Sequence, residues 1–170
     1  MTQKSSPAFM KKILSFALVS VFVLTAAVGC GQDESKVLML ISSEQETEFC
    51  NLAEETQEML DIVADSIFLE WYDYVYEDKY EDVDSAIIAA TDANEENIYK
   101  ILENTEKLNA LYKDIRDGDL KEEVKAVMQA YNEYYSFVIE VSGSFNDFSA
   151  NKENLKKALS TAIKNLSIEL

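Results

Sequence analysis

The densest chemistry in this chain lies between Glu70 and Asp84, EWYDYVYEDKYEDVD. Trp71, Tyr72, Tyr74 and Tyr76 offer ring faces, and Glu70, Asp73 and Glu77 set carboxylates among them. Rings attract cations through their quadrupole and carboxylates through their charge, so the pattern suits a small cationic ligand or a basic protein. A plainer reading stands beside that one: Trp71 and some of the tyrosines face a core, and the acids are simply solvated. The backbone has two readings as well. Tyrosines at alternate positions are strand-like, whereas on a helix Glu70, Asp73, Glu77, Glu81 and Asp84 would form one stripe of mutually repelling charge. Such a stripe would suit loose binding of divalent cations. The first helix is expected to end or loosen near Glu77, with a short helical piece from Asp82 to Ala90.

Other chemistry is harder to find. The chain has no histidine, which removes the commonest catalytic base and metal ligand. Its one arginine, Arg116, cannot make a phosphate-binding cluster. Asp114 to Glu123, DIRDGDLKEE, has a glycine among aspartates, but with Gly118 as the sixth position of a calcium loop the first and third would be Lys113 and Ile115, which are not oxygen ligands. Nucleophile elbows, HExxH and phosphate-cradling glycine loops are absent. Paired carboxylates need one buried member with a raised pKa, and nothing marks one pair above the rest. No catalytic residue, metal ligand or cofactor is therefore assigned. The net charge of −17 argues against nucleic acid as a partner.

A different kind of chemistry is written at the N-terminus. Lys4, Lys11 and Lys12 precede an apolar run from Ile13 to Val28, and small residues then lead into a cysteine, Ala27-Val28-Gly29-Cys30. That order is the order of an export signal. The run of 16 residues is short beside the roughly 20 that a spanning helix needs. Its ending resembles the lipobox of bacterial lipoproteins, with Gly29 fitting the small residue before the cysteine and Ala27 standing where leucine is usual. The resemblance implies that the Cys30 thiol receives a diacylglyceryl group and that the leader is cut just before it. Two acyl chains hold a protein to a membrane firmly where one holds weakly. Without the leader's three lysines the net charge becomes −20. Cys50 is then the lone thiol, either reactive or, more plainly, a small apolar residue on a helix face.

The elements that must position these groups follow from spacing. Proline is confined to Pro7 and glycine is scarce, which favours a few long helices. Val37 to Ile41 is an isolated apolar run that can be read as a strand. Ser43 and Glu46 have the spacing of a capping box. Phe49, Leu52, Thr56, Leu60, Val63, Ile67 and Trp71 then fall three or four apart, one face of a helix. Asp92 and Glu95 mark the next start, followed by Ile98, Ile101, Thr105, Leu108, Tyr112 and Ile115. Gly118 stops that helix and Asp119 with Glu122 starts another. Its seam, Leu120, Val124, Val127, Tyr131, Tyr134, Val138 and Val141, has the spacing of helices packed nearly parallel or antiparallel. Ser142-Gly143-Ser144 ends it, and Phe145 and Phe148 mark a connection folding back on the core. Leu155, Leu159, Ala162, Ile163, Leu166 and Leu170 line a last helix whose lysines, Lys152, Lys156, Lys157 and Lys164, suit packing beside acidic helices.

The stretch Tyr134 to Asn151, YYSFVIEVSGSFNDFSAN, is similar to one found in small, uncharacterised helical lipoproteins of Gram-positive bacteria. That resemblance implies a helix, a structured Ser-Gly-Ser turn and another helix, and no activity. The expected organisation is a leader over residues 1–29, a lipid-anchored tether over 30–42 and a single all-α domain over 43–170. That domain is expected to be a bundle of about four helices with a short accessory one. The expected function is a non-catalytic binding module on the outer face of a bacterial cell membrane, held by lipid on Cys30. The alternative is a cell-envelope enzyme using paired carboxylates.

Overall fold

The computed structural model describes the backbone of residues 34–115 and 118–170, and the side chains of residues 43–115 and 118–170. The expected leader, residues 1–29, and Cys30 lie outside the described residues. The rest forms α1 (Glu34–Tyr76), α2 (Val83–Ala93), α3 (Glu95–Ile115), α4 (Lys121–Ile139) and α5 (Phe145–Glu169), with no strand among the described residues. Four long helices and the short α2 are what the apolar spacing requires.

α1 runs for 43 residues, about 64 Å along its axis. It begins nine residues before Ser43, so the capping position expected of that serine falls inside the helix, where the Ser43 carbonyl accepts the Thr47 hydroxyl at 2.8 Å. Residues 34–42, expected as the end of a tether and open to a strand reading, are helical. They contain no glycine or proline, and Glu, Lys, Leu and Met all propagate a helix at little cost. At the other end Asp78 takes the left-handed conformation, φ 51, which aspartate tolerates better than most residues. The chain reverses there, as expected near Glu77.

The junctions are made by residues next to those expected. Asp82 caps α2 by accepting the Ser85 N–H at 2.8 Å. The break between α2 and α3 falls at Asn94 and not at Asp92: the Asn94 amide donates to the Ala90 carbonyl at 2.9 Å and its backbone N–H to Thr91 at 3.1 Å. An amide can bond back to the last turn, whereas the Asp92 carboxylate has no proton to give those carbonyls. Gly118 closes α3 through its N–H to Ile115 at 2.9 Å. Leu120, not Asp119, precedes α4 and makes no side-chain cap; Glu122 and Glu123 in the first turn complement the helix dipole instead. Ser144 caps α5 by accepting the Asp147 N–H at 3.2 Å, so Phe145 and Phe148 belong to the first turn of a helix and not to a connection.

α1 packs against all four other helices, while α3 and α5 do not approach each other. α5 runs antiparallel to α1, since Lys152, Lys156 and Ser160 meet Asp65, Asp61 and Gln57 in reverse order. The core holds the faces that the spacing marked: Phe49, Leu60, Val63, Ile67 and Trp71 from α1, Ile101 and Leu108 from α3, Val124, Val127, Tyr131, Tyr134 and Val138 from α4, and Leu159, Ile163 and Leu166 from α5. Phe148 joins them and is almost fully buried.

Gly143 connects α4 to α5 with φ 90, a conformation that costs a side-chain-bearing residue about 1–2 kcal/mol. A methyl group there would meet only Asp147, at 3.8 Å. Gly143→Ala is therefore expected to destabilise the bundle by about 1–2 kcal/mol through backbone strain alone. Urea denaturation checks this, with the slope unchanged and the midpoint lowered.

Candidate functional site

The acidic-aromatic stretch enters the structure as the last two turns of α1 and the reversal after it. Successive residues of a helix point about 100° apart, so the seven candidate residues cannot share one surface; the six on α1 divide three ways and Glu77 lies beyond it. Trp71 turns inward: it is 6% exposed and packs on Phe145 and Phe148, with ring centroids 6.1 and 5.6 Å away. Tyr74 is half-buried against the same core. Tyr72 and Tyr76 face solvent, one turn apart, with ring centroids 4.7 Å from each other, and both approach Phe145, at 6.2 and 6.0 Å. Glu70 and Asp73 form a third group, and Glu77 is exposed just past the end of the helix.

Glu70 and Asp73 have a cation already. The Lys79 Nζ lies 2.6 Å from Glu70 Oε2 and 2.9 Å from Asp73 Oδ2. The turn at Asp78 carries it there, and the Lys79 N–H reaches the Asp73 carbonyl at 3.4 Å. The Tyr80 hydroxyl donates to Glu70 as well, and the ammonium sits 5.1 Å from the Tyr80 ring centroid. Hydrogen bonds from Lys79 first, and then Tyr80, hold the Glu70 carboxyl below its ordinary range. The same bonds, to Glu70 and then to Asp73, raise the Lys79 pKa. The five-acid stripe that would have held a divalent cation does not form, because the helix ends before Glu77 and the two acids left on it are neutralised from within the chain. Among the described residues no group of three or more acids or cysteines is placed to hold a metal ion.

A second polar cluster, between α1, α4 and α5, was not legible in the sequence. The Tyr134 hydroxyl donates to Asp61 Oδ1 at 2.7 Å, and Lys156 Nζ lies 3.0 Å from Asp61 Oδ2. One turn along, Lys152 pairs with Asp65 and covers the Phe68 ring at 4.8 Å from its centroid. Of the last helix's four lysines, Lys152 and Lys156 pack against α1 acids as expected. Beside this cluster an open groove of about 320 Å³ runs between α1 and α5, lined by Glu54, Glu58, Asp61 and Lys164. Glu54 and Glu58 are exposed there, and Asp61 is already engaged by Tyr134 and Lys156.

Cys50 lies 3% exposed in the core, its thiol 3.9 Å from the Ile163 carbonyl. Burial pushes the thiol pKa up, and the nearby Glu54 charge adds to the rise. Only the thiolate is a good nucleophile. A thiol reagent is therefore expected to leave Cys50 unmodified in the native protein and to label it at the rate of unfolding. Rapid labelling without denaturant, read by mass spectrometry, would contradict this burial.

No described helix is long and apolar enough to cross a membrane. Compared with known proteins, the chain matches no family model, no curated sequence and no solved structure.

Proposed function

We propose that this chain is a lipoprotein of the bacterial cell membrane, anchored on its outer face through acylated Cys30, whose acidic helical bundle is a non-catalytic module for binding a basic protein or a small cationic ligand. The observation that carries the reading is the treatment of Lys79. Two carboxylates, a phenol and a ring face collect one ammonium group at the end of α1, and that is the chemistry by which an acidic-aromatic surface takes up cations. The net charge of −17 extends the same preference over the whole chain. Cys30 precedes Glu34 by four residues, so an anchor there would tie the chain to lipid close to the start of α1.

The competing reading, an envelope enzyme with paired carboxylates, needs an acid with a raised pKa. Three carboxyls among the described residues, Glu70, Asp82 and Glu103, are displaced downward from their ordinary values, each by hydrogen bonds that favour the charged form. Mass spectrometry of the native protein tests the anchor: a diacylglyceryl group on an N-terminal Cys30 is expected, and a chain keeping Met1 to Gly29 without fatty acid would overturn it. Titration against basic envelope proteins and small cations tests the module. Turnover of a cell-wall glycan with no saturable cation binding would decide for the enzyme.

A further inference from the structure

α1 carries a second apolar line, opposite the one it buries. Ile62, Leu69 and Tyr76 recur every seven residues and are 51%, 59% and 58% exposed. On the helix they stand across from Leu60, Ile67 and Trp71, so the core does not need them. Tyr72 widens the line at its upper end, where Phe145 of α5 meets both tyrosines. Single exposed apolar residues are ordinary, but a heptad-spaced line beside clustered rings is the surface that a partner helix packs against. From Ile62 to Tyr76 the line spans roughly 21 Å, about four turns of a partner.

Charge selects the partner. Along the same face Asp65 is taken by Lys152 and Asp73 by Lys79, both from outside α1. Exposed acids lie beyond each end of the line, Glu58 below Ile62 and Glu77 and Asp78 above Leu69 and Tyr76, and form no ion pair among the described residues; Glu55, also below Ile62, is within electrostatic reach of Lys107. A second copy of the chain would bring the same carboxylates face to face, and an anionic lipid surface would repel them likewise. We propose that the line of Ile62, Leu69, Tyr72 and Tyr76 docks a cationic amphipathic helix of a protein partner, with apolar side chains at heptad spacing and lysine or arginine at both ends. The proposal rests on the binding-module reading and names its partner class and surface.

The test uses the full chain in discs of neutral phosphatidylcholine, with empty discs as the blank. The probe is a labelled synthetic helix of about four turns, leucine at heptad positions and lysine elsewhere, read by fluorescence anisotropy. A scrambled peptide of the same composition is the control. The patterned peptide is expected to bind saturably and at least tenfold more tightly than the scrambled one. Ile62→Ser/Leu69→Ser/Tyr76→Ser, all at exposed positions, is expected to abolish that advantage with helix content unchanged. Glu58→Lys/Glu77→Lys, which leaves the apolar line intact, is expected to weaken both peptides and to flatten the salt dependence. Equal binding of the two peptides, or unchanged preference in the serine variant, would overturn the docking line while leaving the binding-module reading standing. Failure of the patterned peptide to bind would overturn the line as well. So would concentration-dependent dimerisation of the chain that the serine variant removes.

Discussion

Trp71→Ala is expected to destabilise the bundle by about 3–5 kcal/mol, the usual cost of deleting a buried aromatic side chain. Trp71 stands at the top of α1's core line, 6% exposed, against Phe145 and Phe148 at the start of α5. Its removal opens a cavity at the α1–α5 contact, where Phe145 and Phe148 are held at the start of α5, just after the turn at Gly143. Chemical denaturation followed by circular dichroism measures the loss. Tyr76→Ala, five residues later and 58% exposed, is the control and is expected to stay within about 0.5 kcal/mol of the native chain. The contrast separates the two roles that the sequence left open for neighbouring rings. If Trp71→Ala left stability untouched, its place in the core would be wrong. As the chain's one tryptophan, Trp71 also reports directly, and its emission should shift to longer wavelength as the bundle unfolds.

Alkaline pH is expected to unfold the protein through two tyrosines. Tyr131 and Tyr134 are fully buried on α4. Burial pushes Tyr131 up to about 12 from the ordinary 10. Tyr134 is raised too, first by burial and then by the hydrogen bond it donates to Asp61. The Tyr131 hydroxyl also meets that of Thr105 at 2.6 Å, a contact that offsets part of the rise but leaves burial dominant. Both phenols are therefore favoured in the protonated form by the folded state. The stability they supply is whole below pH 10, where the unfolded chain also keeps its protons. It is lost above that, as the unfolded chain ionises and the native one does not. For Tyr131 alone the rise corresponds to about 3 kcal/mol by pH 12. Ionisation of these two, followed by tyrosinate absorbance, should coincide with loss of helical circular dichroism. In Tyr131→Phe/Tyr134→Phe the helix loss should depend less on pH above 10. Full ionisation with the helices intact would contradict the burial of both hydroxyls.

How much of this was legible beforehand depends on the distance between the residues concerned. The core face of α1 was readable from Phe49, Leu60, Val63, Ile67 and Trp71, since a helix brings residues three and four apart to one side whatever it packs against. The end of α1 near Glu77 and the short α2 were readable from the crowding of acids. Starts were less so: Ser43 looked like a cap, but a cap is used only if the helix has not already begun, and residues 34–42 propagate it. Phe145 looked like a connection because the Ser-Gly-Ser turn precedes it, yet Ser144 caps a helix at once and makes that phenylalanine the platform for Tyr72 and Tyr76.

By itself the sequence determined the helical class, the face each long helix buries and the excess of acidic over basic charge, because helix spacing and charge are local properties of the chain. Only the tertiary structure decided that Lys79 folds back onto Glu70 and Asp73, that Tyr134 meets Asp61, and that of the rings in one stretch Trp71 is buried while Tyr72 and Tyr76 are not. The first two outcomes join residues 6 to 73 positions apart, and Trp71 meets its ring partners on the last helix. Which of many carboxylates finds a cation, and which of several rings finds the core, is set by the way a turn reverses and helices cross.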